Sequence, residues 1–126
     1  MATLGIASHA ESFITLPIII SGQYTATAAG VIRFPAWFAG RLKYLSATAR
    51  ASGGTNPTLD VDIQQGITSL LSSAVSVTAG SDAEATLAAD PTFAKDAVIT
   101  IDLTISGTNP TWDDITLLLQ FEKAAA

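Results

Sequence analysis

The sequence predicts an all-β protein, an antiparallel β-sandwich of jelly-roll-like type with an extended N-terminal arm. Three observations predict it. Apolar and polar residues alternate with a period of two in several short runs, the mark of strands with one buried face. Gly, Asn, Pro and Asp punctuate those runs. No long window carries the spacing of an amphipathic helix. At 126 residues the chain fits one domain and has no cysteine, so its core must form without disulfide staples, which this length permits.

Residues 1–20 read as an N-terminal arm or first edge strand, and residues 21–126 as the sandwich domain. The arm is apolar and interrupted by Pro17, and its β-branched run Ile18, Ile19 and Ile20 favours extended backbone. Such a segment either adds to the domain's own sheet or pairs with a neighbour, and Met1 to Ser12 is the part expected to reach outward. Phe34-Pro35-Ala36-Trp37-Phe38 forms an aromatic cluster. From Arg41 to Ala51, Leu45, Ala47, Ala49 and Ala51 alternate with polar residues. Leu59, Val61 and Ile63 then alternate with Asp60, Asp62 and Gln64, the cleanest strand of the chain. Gln65-Gly66 reads as a turn. Shorter strands are expected around Ile67 to Leu71, Val75 to Val77 and Ala83 to Leu87, and Thr92 to Asp96 has room for one helical turn. Ile99, Ile101, Leu103 and Ile105 mark the next strand. Ile115, Leu117, Leu119 and Phe121 mark the last, where Leu118 puts a leucine on the outer face.

One pentapeptide occurs twice without change, as Gly54-Thr55-Asn56-Pro57-Thr58 and Gly107-Thr108-Asn109-Pro110-Thr111. Glycine permits positive φ, Asn forms Asx turns, and the residue before proline is pushed out of the helical region. These properties predict a hairpin connection at the sheet periphery, used twice with similar backbone conformation.

Charged residues make up 13% of the chain, about half the usual share. A surface so poor in charge suits contact with other chains, and a homo-oligomer is expected. The net charge is −5 and the six basic residues form no run, so no nucleic-acid groove is expected. The stretch from Phe13 to Ile20 is too short for a membrane span, and no basic residue precedes Arg33 to make a signal n-region. Synthesis and use in a cytoplasm, or release by lysis, is the expectation.

No catalytic machinery is legible, and the chain is read as a structural or binding protein and not an enzyme. His9 is the single histidine and sits in the arm, where no triad is held in geometry. Asp60 and Asp62 share a strand face, and Asp113-Asp114 follows the second pentapeptide, but no calcium-loop spacing exists. No cofactor or metal is expected. Trp37, Phe38, Tyr44 and Trp112 suit core, subunit contact or sugar stacking. The candidate interface is Phe13, Ile14, Leu16 and Ile18 in the arm, with Trp37, Phe38, Trp112 and Leu118.

The stretch from Ala39 to Phe121 resembles a small β-sandwich domain of tailed-bacteriophage structural proteins. The features are Gly40 opening a long strand, the turn at Gly53-Gly54, the strand Asp60-Val61-Asp62, Gly66, and the strand pair formed by Ala97 to Ile105 and Ile115 to Phe121. Such domains occur in capsid decoration (cement) proteins, head fibres and tail or baseplate tips. A lone domain with an arm looks most like the decoration type. The resemblance implies a virion structural protein on the capsid surface, bound to the major capsid protein, often as a trimer, and stabilising the shell. The alternative it leaves open is a receptor- or glycan-binding tip, which would need Trp37 and Trp112 exposed on one face.

Overall fold

The computed structural model describes residues 13–124 as eight β-strands with no helix among them. β1 (Phe13–Tyr24) and β2 (Ala28–Pro35) lead into β3 (Gly40–Gln65). Four short strands follow, β4 (Thr68–Ser69), β5 (Val75–Ser76), β6 (Ala83–Glu84) and β7 (Thr92–Phe93), before β8 (Val98–Lys123). Every pairing between these strands is antiparallel.

β3 and β8 are each 26 residues long, several times the usual strand. They pair along their whole length, from Gly40↔Lys123 to Gln65↔Ile99. Flanking strands split this ribbon into two halves. Residues 112–122 of β8 pair with β1, and residues 98–103 with β2. On the other side, residues 40–47 of β3 carry β7 and β6, and residues 60–65 carry β5 and β4. The result is two layers, β1–β8–β3–β6/β7 and β2–β8–β3–β4/β5, which is jelly-roll strand order.

Each layer has one apolar face and no helix to cover it, so the layers cover each other. Leu45, Leu117 and Leu119 of the first layer and Val61, Ile63, Ile101 and Leu103 of the second all have 0% exposure. With Ile99 and Phe121, also buried, these are the core residues that alternation predicts.

The repeated pentapeptide corrects the sequence reading. Neither copy is a hairpin connection. Each lies in the middle of a long strand, and the two lie side by side, with Thr55 opposite Thr108. The pairing shifts register on both sides of Thr55, between Gly53 and Thr58. The copies do share a conformation: φ is +94° at Gly54 and +121° at Gly107, and +50° and +49° at Asn56 and Asn109. A local two-fold axis therefore passes between Thr55 and Thr108. A Cβ on Gly54 would stand 2.4 Å from the carbonyl oxygen of Asn109, and one on Gly107 would stand 2.7 Å from that of Asn56. Each glycine thus presses on the other copy's Asn-Pro backbone. Thr58 meets Ser106 through a hydroxyl–hydroxyl hydrogen bond, and Thr111 meets Gly53 at the symmetric place. This double irregularity bends the ribbon and folds the sheet onto itself, as bulges do at sandwich corners.

The other end of the sandwich is closed by aromatic rings. Phe38, Phe93 and Phe121 pack with centroids 5.5–6.1 Å apart. Trp37 joins Phe121 of the first layer, at 6.4 Å, to Phe34 of the second, at 6.2 Å. The helical turn for which Thr92 to Asp96 has room does not form. Thr92–Phe93 pairs with the start of β3, and a turn follows in which Ala97 N donates to Ala94 O.

Phe13 to Ile20 takes the edge-strand placement, in register with β8 from Phe13↔Glu122 to Ile20↔Ile115. Pro17 is tolerated because β1 is an edge. Met1 to Ser12, with His9, lies outside the described residues.

Gly54→Ala and Gly107→Ala should each cost more than ~1 kcal/mol, because a Cβ meets backbone in a left-handed conformation. Gly66 also has positive φ but nothing within 4 Å, so Gly66→Asn should be close to neutral. Urea denaturation reads both, and equal effects at Gly54 and Gly66 would contradict the interlock. Ile101→Ala should lose about 2–5 kcal/mol by the same measurement.

Candidate functional site

A jelly roll spends its inner faces on the core, so any site must use the outer faces, the edges or the ends. The two outer faces have opposite chemistry. On the second layer, Asp62 stands directly opposite Asp102, and Asp60 lies two residues along β3 on the same face. Their carboxylates tie down the flanking strands. Asp60 accepts from Ser76 Oγ at 2.8 Å, Asp62 from Ser69 Oγ at 2.5 Å, and Asp102 from Gly30 N at 2.6 Å. Among the described residues no group of three or more His, Cys, Asp or Glu converges on a point where a metal ion would sit.

The outer face of the first layer carries three consecutive cross-strand rows without a charge. They are Thr15–Gln120–Tyr44, Pro17–Leu118–Ser46 and Ile19–Thr116–Thr48, running from β1 across β8 to β3. Ile19 is 68% exposed and Leu118 41%. Charge surrounds these rows, with exposed Lys43 in the register shift of β3 beside Tyr44, Glu122 opposite Arg41 at the aromatic end, Arg50 beside Asp114 at the bend, and Glu84 beside Ser46.

The candidate interface residues separate into two groups. Ile18, Phe38 and Trp112 are buried in the protein's own core and offer nothing to a partner. Ile14 and Leu16 point inward with Ile18 and are half-buried, as is Phe13. Trp37, at 50% exposure, and Leu118 remain on the surface. Trp37 and Trp112 are therefore not on one exposed face, as a sugar-stacking platform requires. Trp112 Nε1 is buried without a hydrogen-bond partner. Ile19, Pro17 and Tyr44 are not among the candidate interface residues, although Tyr44 is one of the rings suited to core, subunit contact or sugar stacking. Their signal is the parity of the strands, which becomes readable only once β1 is known to pair with β8. Ile67, 97% exposed, caps the turn after Gly66.

At the bend, Asp114 has φ +50° and its carboxylate accepts from Arg50 Nε at 2.8 Å and Gly22 N at 3.0 Å. Asp113 accepts from Gln23 Nε2. The cluster fastens β1 across β8 to β3 just below the bend. The Arg50 hydrogen bond, then that from Gly22, holds the Asp114 carboxyl below its ordinary value of 3.8. A shallow open depression of about 370 Å³ lies beside it, lined by Thr25, Asn109, Pro110 and Thr111, and none of these four is titratable.

No family model matches the chain, and no curated protein does. Among the solved structures that resemble it are two at low identity. A chain of the T13 viral particle of IBDV matches over 91% of this chain and 36% of its own, with 12% identity and a TM-score of 0.44. A chain of dimeric latent PorU from Porphyromonas gingivalis matches over 88% of this chain and 13% of its own, with 14% identity and a TM-score of 0.41. The chain spans about a third of the first and about an eighth of the second. Likenesses of this size assign no family.

Because its partners favour the charged form, Asp114 contributes stability that is complete above its ordinary value of 3.8 and is lost as pH falls through the lower folded-state value. Asp114→Asn should therefore be less stable than the parent at pH 7. The gap in denaturation midpoint should close as pH drops below 3.8. A gap that is constant with pH would show that the loss is not electrostatic.

Proposed function

We propose that the protein is a virion structural protein of the capsid-decoration type, which binds a shell of major capsid proteins from outside and reinforces it. The observation that carries the reading is the use of the molecule's surface. The inner faces, the phenylalanines of the aromatic end, and Asp60, Asp62, Asp102, Asp113 and Asp114 are engaged in holding the jelly roll. What remains is a broad face poor in charge, with Ile19 and Leu118 exposed. That is the makeup of a contact surface and not of a reaction site. The resemblance of Ala39 to Phe121 to phage structural domains points the same way, and jelly rolls are a recurrent building block of viral shells, a fold-level analogy.

In this reading the chain works by binding and not by catalysis. It needs no cofactor and does not touch nucleic acid or membrane. Reinforcement comes from area buried between many copies and the shell. The receptor- or glycan-binding tip is disfavoured by Trp112, whose ring lies in the core at 2% exposure.

The test is quantitative mass spectrometry of purified virus particles from the source of the sequence. A copy number comparable with that of the shell subunit is expected, together with release of the protein and a lowered particle melting temperature under dissociating conditions. Absence from the particle defeats the reading, and a few copies per particle would move the protein to a fibre or tail tip.

A further inference from the structure

From the charge pattern of the two outer faces, we infer that the uncharged face of the first layer is a self-association surface, on which a second copy of this chain packs face to face about a two-fold axis parallel to the strands. The inference uses the same contact face as the virion reading and gives it to a neighbouring copy and not to the shell.

The occupant follows from electrostatics. The protein has a net charge of −5, so two copies repel unless they meet where charge is absent or complementary. The outer face of the second layer is less suited. It presents Asp60, Asp62 and Asp102 against one exposed base, Arg33 opposite Thr100, and a like copy would bring the same three carboxylates against it. The three uncharged rows of the first layer form the face where two copies can meet without like charges at the centre. Leu118 stands in the middle of those rows, between Pro17 and Ser46, with Ile19 in the next row. A two-fold contact requires a patch complementary to itself, and this one has apolar side chains at its centre and hydroxyls and an amide around them.

The margins select the orientation. At the aromatic end Glu122 lies on β8 opposite Arg41 on β3, and at the bend Asp114 lies on β8 beside Arg50 on β3. Both margins thus put the acid on β8 and the base on β3. A two-fold axis along the strands, midway between β3 and β8, sets β8 of one copy over β3 of the other. Arg41 then faces Glu122 of the second copy, and Arg50 faces its Asp114. An axis across the strands would instead set Glu122 against Asp114 and Arg41 against Arg50, which repel. The charges therefore favour a pair over the trimer that the resemblance implies.

Five rows across three strands cover about 400 Å² of flat sheet at standard spacings, about half of what each partner buries in a standard stable interface. The pair is accordingly weak in free solution and strengthened wherever copies are held close together.

Sedimentation equilibrium of the purified full chain, taken to ~1 mM, tests this. The expected result is a reversible monomer–dimer equilibrium. Leu118→Lys and Ile19→Lys change exposed positions, so each should keep the parent's circular dichroism and melting temperature while association weakens at least tenfold. Arg41→Glu should weaken association in low salt, and adding Glu122→Arg to it should restore the parent value. A monomer throughout overturns the inference, as does a trimer, or a dimer that Leu118→Lys leaves unchanged. A monomer whose binding to virus particles is abolished by Leu118→Lys would assign the face to the shell instead. A dimer absent from all particles would leave this inference standing and defeat the virion reading.

Discussion

The contact between each pentapeptide glycine and the other copy's Asn carbonyl sets the geometry of the whole molecule. A two-stranded ribbon as long as β3 and β8 exposes one apolar face from end to end, and nothing helical is present among the described residues to cover it. Covering it requires the ribbon to double back, and doubling back requires both strands to bend at the same level. Two identical sequences in antiparallel register accomplish this because a local two-fold axis gives each strand the same bend at the same place. Positive φ at Gly54 and Gly107 supplies the change of direction, and the missing side chains let the two backbones meet. The bend brings the far ends of the ribbon together, where Phe34, Trp37, Phe38, Phe93 and Phe121 close the opening.

Once the ribbon has folded, the period of two divides the residues between structure and surface. Inward positions are filled by Leu, Ile, Val and Ala at or near zero exposure. Outward positions are free to differ between the layers, and they do. The second layer uses its aspartates as acceptors for hydroxyl and backbone donors on the short neighbouring strands. The first layer needs fewer such ties, since its edge is the long strand β1, fastened by continuous pairing and by the Asp114 cluster. Its outer face is left uncharged over its middle, with the two exposed apolar side chains that a freely dissolved monomer has least use for.

Much of this was legible in the sequence. Alternation alone placed Val61, Ile63, Ile101, Leu103, Leu117 and Leu119 in the core, since a one-residue slip would have exposed the whole set. It also placed Leu118 on the outside. The pentapeptide was recognised as a special backbone element and its function misread, for a physical reason. Positive φ at Gly and Asn signals a turn and a bulge alike, and only the pairing partner tells which. The other copy of the same peptide, distant in sequence, is that partner. Trp112 was left open for a related reason. Its composition alone leaves core, subunit contact and sugar stacking open, and it sits at an even position in a strand whose other buried residues are odd, so only the backbone change at Asp114 and the bend at Gly107 show that it is buried. The face on the first layer was half legible: Leu118 was visible, but Ile19 and Tyr44 join it only through the registers of β1 and β3 with β8.

The fold stands on the two pentapeptides lying against each other in mid-strand, and a designed cross-link tests that most directly. The chain has no cysteine, so a Thr55→Cys/Thr108→Cys variant contains a single possible disulfide. Directly opposed residues of an antiparallel pair have Cα atoms about 4.5–5.5 Å apart, within the range a disulfide spans. Under mild oxidation the folded monomer should form this bond completely, as read by mass spectrometry of the intact and proteolysed chain, with native circular dichroism and raised thermal stability. If the two cysteines stay reduced in the folded protein, or link only between molecules, the copies are apart, and the interlocked bend on which the fold and its outer faces depend does not exist.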